Sequence, residues 1–431
     1  MKRTFQSFLV TDFNTIKQQM LSLGNRFNIC AFLDNHQYQL PGHEQECLAG
    51  FGAVKELHCS ATEPHPLSSL QRLQQFLDET DDWRFGHLGY DLKNEIEQLH
   101  SRYTDATGFP LVYFFVPQYV LQLNERELKI GSFENDHELL FREILAFAKE
   151  DEALPKVEVK ERMSREDYIS TIHKIQQHIL RGDCYELNYC MEFYAEEAVI
   201  NPVQVYQSLT AVSPNPFSAF YKINSSYLLC ASPERFLRKK GMQLLSQPIK
   251  GTLKRNKTNT AVDEQLKQEL YTSAKDRSEN VMVVDLVRND LSRVCKEGTV
   301  QVDELFGIYS FPQVHQMIST VSGEVKEDVS FAEILHSTFP MGSMTGAPKR
   351  KVMELIDLYE RNARGLFSGA VGYISPQGDF DFNVVIRSIL YNATAHYLSY
   401  SVGSGITWYS VAENEYDECL LKAAAIRKVL Q

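Results

Sequence analysis

The sequence has no apolar run approaching the length of a membrane span. Its opening, MKRTFQSFLVTDFNTIKQQM, holds two basic residues but no uninterrupted apolar stretch and no small-residue cleavage pattern, so neither membrane insertion nor secretion is expected. A cationic surplus is also missing. With 44 Lys and Arg against 56 Asp and Glu, the formal charge of −12 leaves no footprint for a nucleic-acid backbone or an anionic membrane. An anionic substrate would have to be met by local cations. The eight cysteines (Cys30, Cys47, Cys59, Cys184, Cys190, Cys230, Cys295 and Cys419) form no CxxC and no zinc-like spacing, which fits free thiols in a reducing cytoplasm. Internal repeats, low-complexity tracts and long Gly/Ser linkers are absent. What is present is length and apolar content: 431 residues, 43 % hydrophobic, enough for a large core in two or three domains or one oversized one.

Periodicity assigns strands to 110–121 and 126–132 and a helix to 137–149, with Leu140, Ile144 and Phe147 on one face. The charged, proline-containing EDEALPKVEVKERM then reads as a junction between an N-terminal portion, 1–150, and the remainder, 164–428, the two expected to pack as one compact unit. Ser164 with Asp167 marks a helix start, and the stripe Ile169, Ile172, Ile175, Ile179 runs to a stop at Gly182. From 188 to 250 strands dominate, and LLCASPERFL and MQLLSQPIKG flank a hairpin turn at Lys239, Lys240 and Gly241. Helices are expected at 264–296 and 348–362, strands at 369–375, 381–390 and 397–402, and a last helix from about Glu413. Strand runs mixed with helices without a βαβ rhythm indicate an α+β fold.

Three features could carry chemistry. Asp276 with Glu279, and Glu415 with Glu418, are spaced i, i+3 in helical contexts, so each pair shares one face; two such faces suit a hard divalent cation or are simply solvated. Lys422, one turn after Glu418, could form an ordinary i, i+4 ion pair with it. FPMGSMTGAPKR lacks the phosphate-loop pattern but opens a helix at Pro348, either as a plain cap or with N–H groups able to meet an anion. Lys250, in PIKGT at a strand end, is either a partly desolvated amine, lowered in pKa and nucleophilic, or the structural partner of Glu234 on the facing strand.

The ordered set SPERFL, PIKGT, DRSENVMVVDLVRNDL, VHQMIST, FPMGSMTGAPK, GAVGYI, VIRSI and GSGI…ENEYDE resembles the chorismate-utilising enzymes, densely over 164–428 and more thinly at FGHLGYDLKNEIE. The resemblance implies two large antiparallel sheets in a sandwich-like core with helices outside, chorismate as substrate and Mg2+ as cofactor. It implies that Glu279 and Glu418 ligate Mg2+ while Asp276 and Glu415 hold its waters. Gly405 and Lys422 would receive the ring carboxylate, Arg387 would clamp the enolpyruvyl carboxylate, Ser343 would lie near the substrate, and Glu234 would be the general acid. Where anthranilate and salicylate synthases resemble PIAGT, the lysine of PIKGT resembles the aminodeoxychorismate-forming branch, in which Lys250 would be the nucleophile. An anthranilate synthase large component and an inactive chorismate-binding scaffold are the alternatives.

Gln316 aligns with the histidine of relatives that eliminate pyruvate; glutamine accepts no proton near neutral pH, so that step should be lost, while His315 should face elsewhere and be structural. Ser404 and Thr407-Trp408-Tyr409 depart from the usual residues and imply a bulkier wall near the acidic helix, and Glu186 stands where a glutamine is usual. These departures should shift affinity more than reaction type. No segment supplies a glutamine amidotransferase, so the resemblance implies a separate amidotransferase subunit delivering ammonia. CAFLDNHQYQL lies where relatives can hold tryptophan.

Overall fold

The computed structural model describes residues 2–38, 45–61, 65–147, 156–311 and 313–431. The expected junction therefore lies partly outside the described residues, at 150–155. Among the described residues, two antiparallel sheets, of 12 and 10 strands, face each other with helices packed outside, so the α+β sandwich is observed. Both sheets mix strands from the two sides of the junction. In the larger, Ile29–Asp34 pairs with Phe217–Ile223; in the smaller, Arg84–Leu88 pairs with Ala370–Ile374.

The core follows from the two-residue strand period. Ala31, Tyr221 and Leu228 of the larger sheet meet Phe85, Phe114 and Leu237 of the smaller between the layers. Cys30 and Phe32, one position off, point to the outer face of the larger sheet and join a second core with helix residues such as Met20, Leu23, Ile172 and Ile426. The helix Arg165–Leu180 begins as expected, the Ser164 side chain accepting from the Asp167 N–H. The hairpin Arg235–Lys240 to Gln243–Gln247 turns at Gly241, whose φ of 55° favours glycine.

Three expected elements are divided. The run 110–121 forms Val112–Val116 in the smaller sheet and Tyr119–Leu123 in the larger, broken at Pro117, which has no N–H for a ladder. The helix over 264–296 is two, Thr260–Thr272 and Ala274–Val294, separated at Ser273, which caps the second. The strand over 381–390 is Phe380–Asn383 of the smaller sheet and Ser388–Asn392 of the larger. Between them the chain crosses from one layer to the other.

That crossing positions the site. A second one lies beside it, where Ser226–Ser232 of the larger sheet continues into Arg235–Lys240 of the smaller. Val384 N–H donates to the Glu234 carbonyl at 3.0 Å, and the Ser232 hydroxyl to the Val384 carbonyl at 2.6 Å. Glu234 and Arg387 thus sit on two stitched cross-over links rather than within either sheet.

Candidate active site

Lys250 belongs to the strand Ile249–Lys254, which pairs with Val314–Glu324. The pairing skips one residue, Ile249 opposing Ile318 and Thr252 opposing Gln316, so Lys250 and Gly251 form a bulge. A bulge turns a side chain out of the strict alternation. Gly251 makes it possible: its φ is 93°, and a Cβ there would lie 3.0 Å from the Asp276 side chain.

The bulge faces two helix starts. Asp276 occupies the first turn of Ala274–Val294 and Glu415 the first turn of Ala412–Leu430, where free N–H groups and the helix dipole favour carboxylates. Glu279 and Glu418 follow on the same faces. One cavity, about 1010 Å³ including its open mouth, is lined by Lys250, Glu234, Ser343, Arg387, Gly405, Lys422, Asp276, Glu279, Glu415 and Glu418 together. Every site residue expected from the sequence is brought there, within the size of small-molecule sites.

The charges are arranged unevenly. Lys250 Nζ donates to Glu186 Oε1 at 2.5 Å, so the expected pairing with Glu234 is not formed. Burial pushes the Lys250 ammonium down, but Glu186, Glu279 and Glu234 outweigh it and raise its pKa, opposite to the expected lowering. Glu234 is pushed up to about 7 by burial, against the opposing pull of Ser343 and Lys250. Glu279 also rises to about 7, through burial and despite Lys250. Burial drives Glu418 upward too, yet Lys422, Lys275 and Lys250 hold it below the ordinary value.

Lys422 Nζ bonds Glu418 at 2.7 Å and the Gly403 carbonyl at 2.8 Å, so the i, i+4 pair is real and lies within the cavity. The Arg387 guanidinium makes no hydrogen bond or ion pair with any described residue, and its backbone has φ 53°. A half-buried guanidinium without a partner among the described residues has donors free to meet a carboxylate. Gly405 has no room for a side chain: a Cβ would lie 2.7 Å from Glu186 Oε1, 2.8 Å from Lys250 Nζ and 3.4 Å from Glu279 Oε2.

The four carboxylates do not form a preassembled cage, since no group of three or more His, Cys, Asp or Glu among the described residues is close enough to hold a metal. They do leave oxygen atoms unanswered. Glu279 Oε1 and Glu415 Oε2 are buried without a hydrogen-bond partner among the described residues, and the Lys275 ammonium reaches Glu415 Oε1 at 2.9 Å and, at ion-pair range only, Glu279 Oε1 at 3.9 Å. This donor set fits a small hard cation taking few protein oxygens.

Among the departures, Ser404 turns away from the cavity toward Tyr168, 3.4 Å distant, and Trp408 and Tyr409 project outward at 47 % and 85 % exposure. The bulkier wall expected there is not built. Gln316 lines the cavity, whereas His315 faces the other way, between Ser310 at 2.8 Å and Asp263 at 3.1 Å, the structural place expected of it. Asp34 and Asn35 of CAFLDNHQYQL border a separate inter-sheet pocket; residues 39 and 40 lie outside the described residues. Missed from sequence were the Glu186 contact and the Lys275 bridge. The glutamate at a glutamine position was the only signal for the first.

Residues 30–428 match the family described as chorismate binding enzyme. The chain belongs to this chorismate-binding family. Aminodeoxychorismate synthase component 1 of Bacillus subtilis (strain 168) is 33 % identical over 362 residues, 80 % of this chain and 76 % of that protein. The chloroplastic aminodeoxychorismate synthase of Arabidopsis thaliana is 36 % identical over 79 % of this chain, which spans only 39 % of that longer protein. Anthranilate synthase component I from Streptococcus pneumoniae TIGR4 shares the fold at TM-score 0.77 and 24 % identity, over 91 % of this chain and 94 % of that one. In this chorismate-binding enzyme the cavity lies where two cross-over links, one bulge and two acidic helix starts converge.

Proposed function

We propose that the chain is the aminating component of an aminodeoxychorismate synthase, converting chorismate to 4-amino-4-deoxychorismate with ammonia from a separate glutamine amidotransferase subunit. The observation that carries the reading is an amine, Lys250 Nζ, turned by a bulge into the cavity that also holds Glu234, Arg387 and both acidic helix starts. Lys250 adds at C2 of the ring as the C4 hydroxyl departs; ammonia then attacks C4 and expels the lysine. Dividing one difficult displacement into two allylic ones is ordinary covalent catalysis. Glu234, protonated in part at neutral pH, donates to the leaving hydroxyl.

Arg387 holds the enolpyruvyl carboxylate, Gly405 and Lys422 receive the ring carboxylate, and Ser343 contacts the substrate. Glu279 and Glu418 would ligate Mg2+, with Asp276 and Glu415 holding its waters. Bound there, the cation supplies charge neutralisation and anchoring of the ring carboxylate. Gln316 offers no base for pyruvate elimination, so the enolpyruvyl group stays on the product. The free, buried cysteines suit a cytoplasmic setting, and the product would feed 4-aminobenzoate synthesis.

Incubation with chorismate, Mg2+ and an ammonium salt is expected to yield aminodeoxychorismate, which an added lyase converts to 4-aminobenzoate. Intact-mass analysis should detect a chorismate-derived adduct that is absent from Lys250→Ala, and that variant should lose at least about 100-fold in rate, the scale set by removing one catalytic group. Release of fluorescent anthranilate would identify an anthranilate synthase component instead. Absence of any product would leave a chorismate-binding scaffold.

A further inference from the structure

An ammonium has three donors and no lone pair, so Lys250 cannot attack until a proton is removed from it. The structure places one carboxylate on that nitrogen. Glu186 accepts from Lys250 Nζ at 2.5 Å, with the two side chains only 2 % and 10 % exposed, and its second oxygen, Oε2, is buried without a partner among the described residues. The pair is pressed against the backbone of Gly405, where even a methyl group would meet both partners. On its other side, a Cβ at Gly346 would lie 2.1 Å from the Glu186 carbonyl, so the start of the strand Glu186–Ala195 is gripped between two glycines.

Other carboxylates face Lys250 from the elements around it. Glu279 comes from the helix Ala274–Val294, Glu418 from the helix Ala412–Leu430 and Glu234 from the cross-over link, while Asp276 packs on the neighbouring Gly251. None of them is within ion-pair distance of Nζ among the described residues; Glu186 is. Each of those four has another task in the proposed reaction.

We propose that Glu186 is the base that takes the Lys250 proton as the amine adds and returns it when the amine is expelled. This rests on the lysine-adduct reading of the site. A Lys250 N–H proton passes to Glu186, and the freed lone pair forms the N–C2 bond. Both conjugated ring double bonds shift and the C4–O bond breaks, its electron pair leaving with the hydroxyl, which takes the Glu234 proton and departs as water. Attack of ammonia at C4 drives the shift back, the C2–N bond breaks with its pair returning to the lysine nitrogen, and the new C4 ammonium returns a proton to Glu234. The neutral amine then recovers its proton from Glu186, which restores the resting pair.

Glu186→Gln keeps the shape and a hydrogen-bond acceptor but accepts no proton. Two measurements on the full chain test the role. In the substrate-free protein, acetic anhydride labelling of Lys250, mapped by peptide mass across pH, should begin about one pH unit lower in the variant, because the ammonium has lost its counter-charge. In the ammonium-dependent assay, kcat should fall about 10²- to 10⁴-fold, with the deficit relative to wild type at the same pH narrowing as pH rises, while Glu186→Asp regains part of the rate. Unchanged labelling together with unimpaired turnover would overturn both the pairing and the base role. Shifted labelling with turnover within threefold of wild type would overturn the base role alone. If the wild type forms no aminated product, the reaction reading fails and the base role with it, while labelling still decides the pairing.

Discussion

Glu234 is a carboxyl group removed from both sheets and set on a link between them, where burial outweighs the nearby Lys250 ammonium and leaves it titrating at about 7. A general acid works in its protonated form, so the rate of the C4–O cleavage should fall as pH rises through about 7. Glu234→Gln should lose about 10²- to 10⁴-fold in kcat, and its residual rate should lack that alkaline limb. A pH–rate profile of wild type and variant decides it; an unchanged limb in Glu234→Gln would assign the titration elsewhere. The motif around Glu234 was legible in the sequence, as were the nine other residues gathered around the cavity. The partner of Lys250 was not, because Glu186 lies 64 positions away and strand periodicity carries no information about which distant strand delivers a carboxylate.

Helix boundaries with chemical caps were legible, as Ser164 shows, because capping is a local hydrogen bond. Bulges are set instead by the partner strand. The pattern PIKGT shows a lysine near a glycine; only the pairing with Val314–Glu324 shows that the extra residue turns Lys250 inward. Gly251→Ala tests that element. At φ 93° a side chain is strained and would also press on Asp276, so the variant should lose about 1–2 kcal/mol of stability, read as a lower urea midpoint with unchanged slope, and should aim Lys250 poorly. Gly405→Ala acts on the facing strand, where φ is ordinary and the obstruction is steric. Its methyl group would push Glu186 and Lys250 apart, so turnover should fall at least about tenfold, with an overpacking cost of about 1–3 kcal/mol. Retained turnover in Gly405→Ala would mean that the pair has space to move aside.

The sequence suggested two successive portions packed as one unit but not that they share sheets: Ile29–Asp34 is flanked by Cys47–Phe51 and Phe217–Ile223, and Arg84–Leu88 by Val112–Val116 and Ala370–Ile374. Long-range pairing of this kind leaves no trace in local composition. Separating residues 1–147 from the remainder would expose central strands in both layers and open the core between them, so the whole chain should unfold cooperatively. The two tryptophans make this measurable. Trp83 is buried in the N-terminal part and packs on Tyr373 from the C-terminal part, ring centroids 5.7 Å apart, while Trp408 is 47 % exposed. Trp408→Phe should change stability by no more than about 0.5 kcal/mol and leave Trp83 as the sole indole reporter. In that variant, urea transitions followed by Trp83 emission and by far-UV circular dichroism should coincide. A Trp83 transition completed at lower urea than the loss of secondary structure would show the N-terminal strands leaving first, and the cavity would then rest on a sheet able to stand without them.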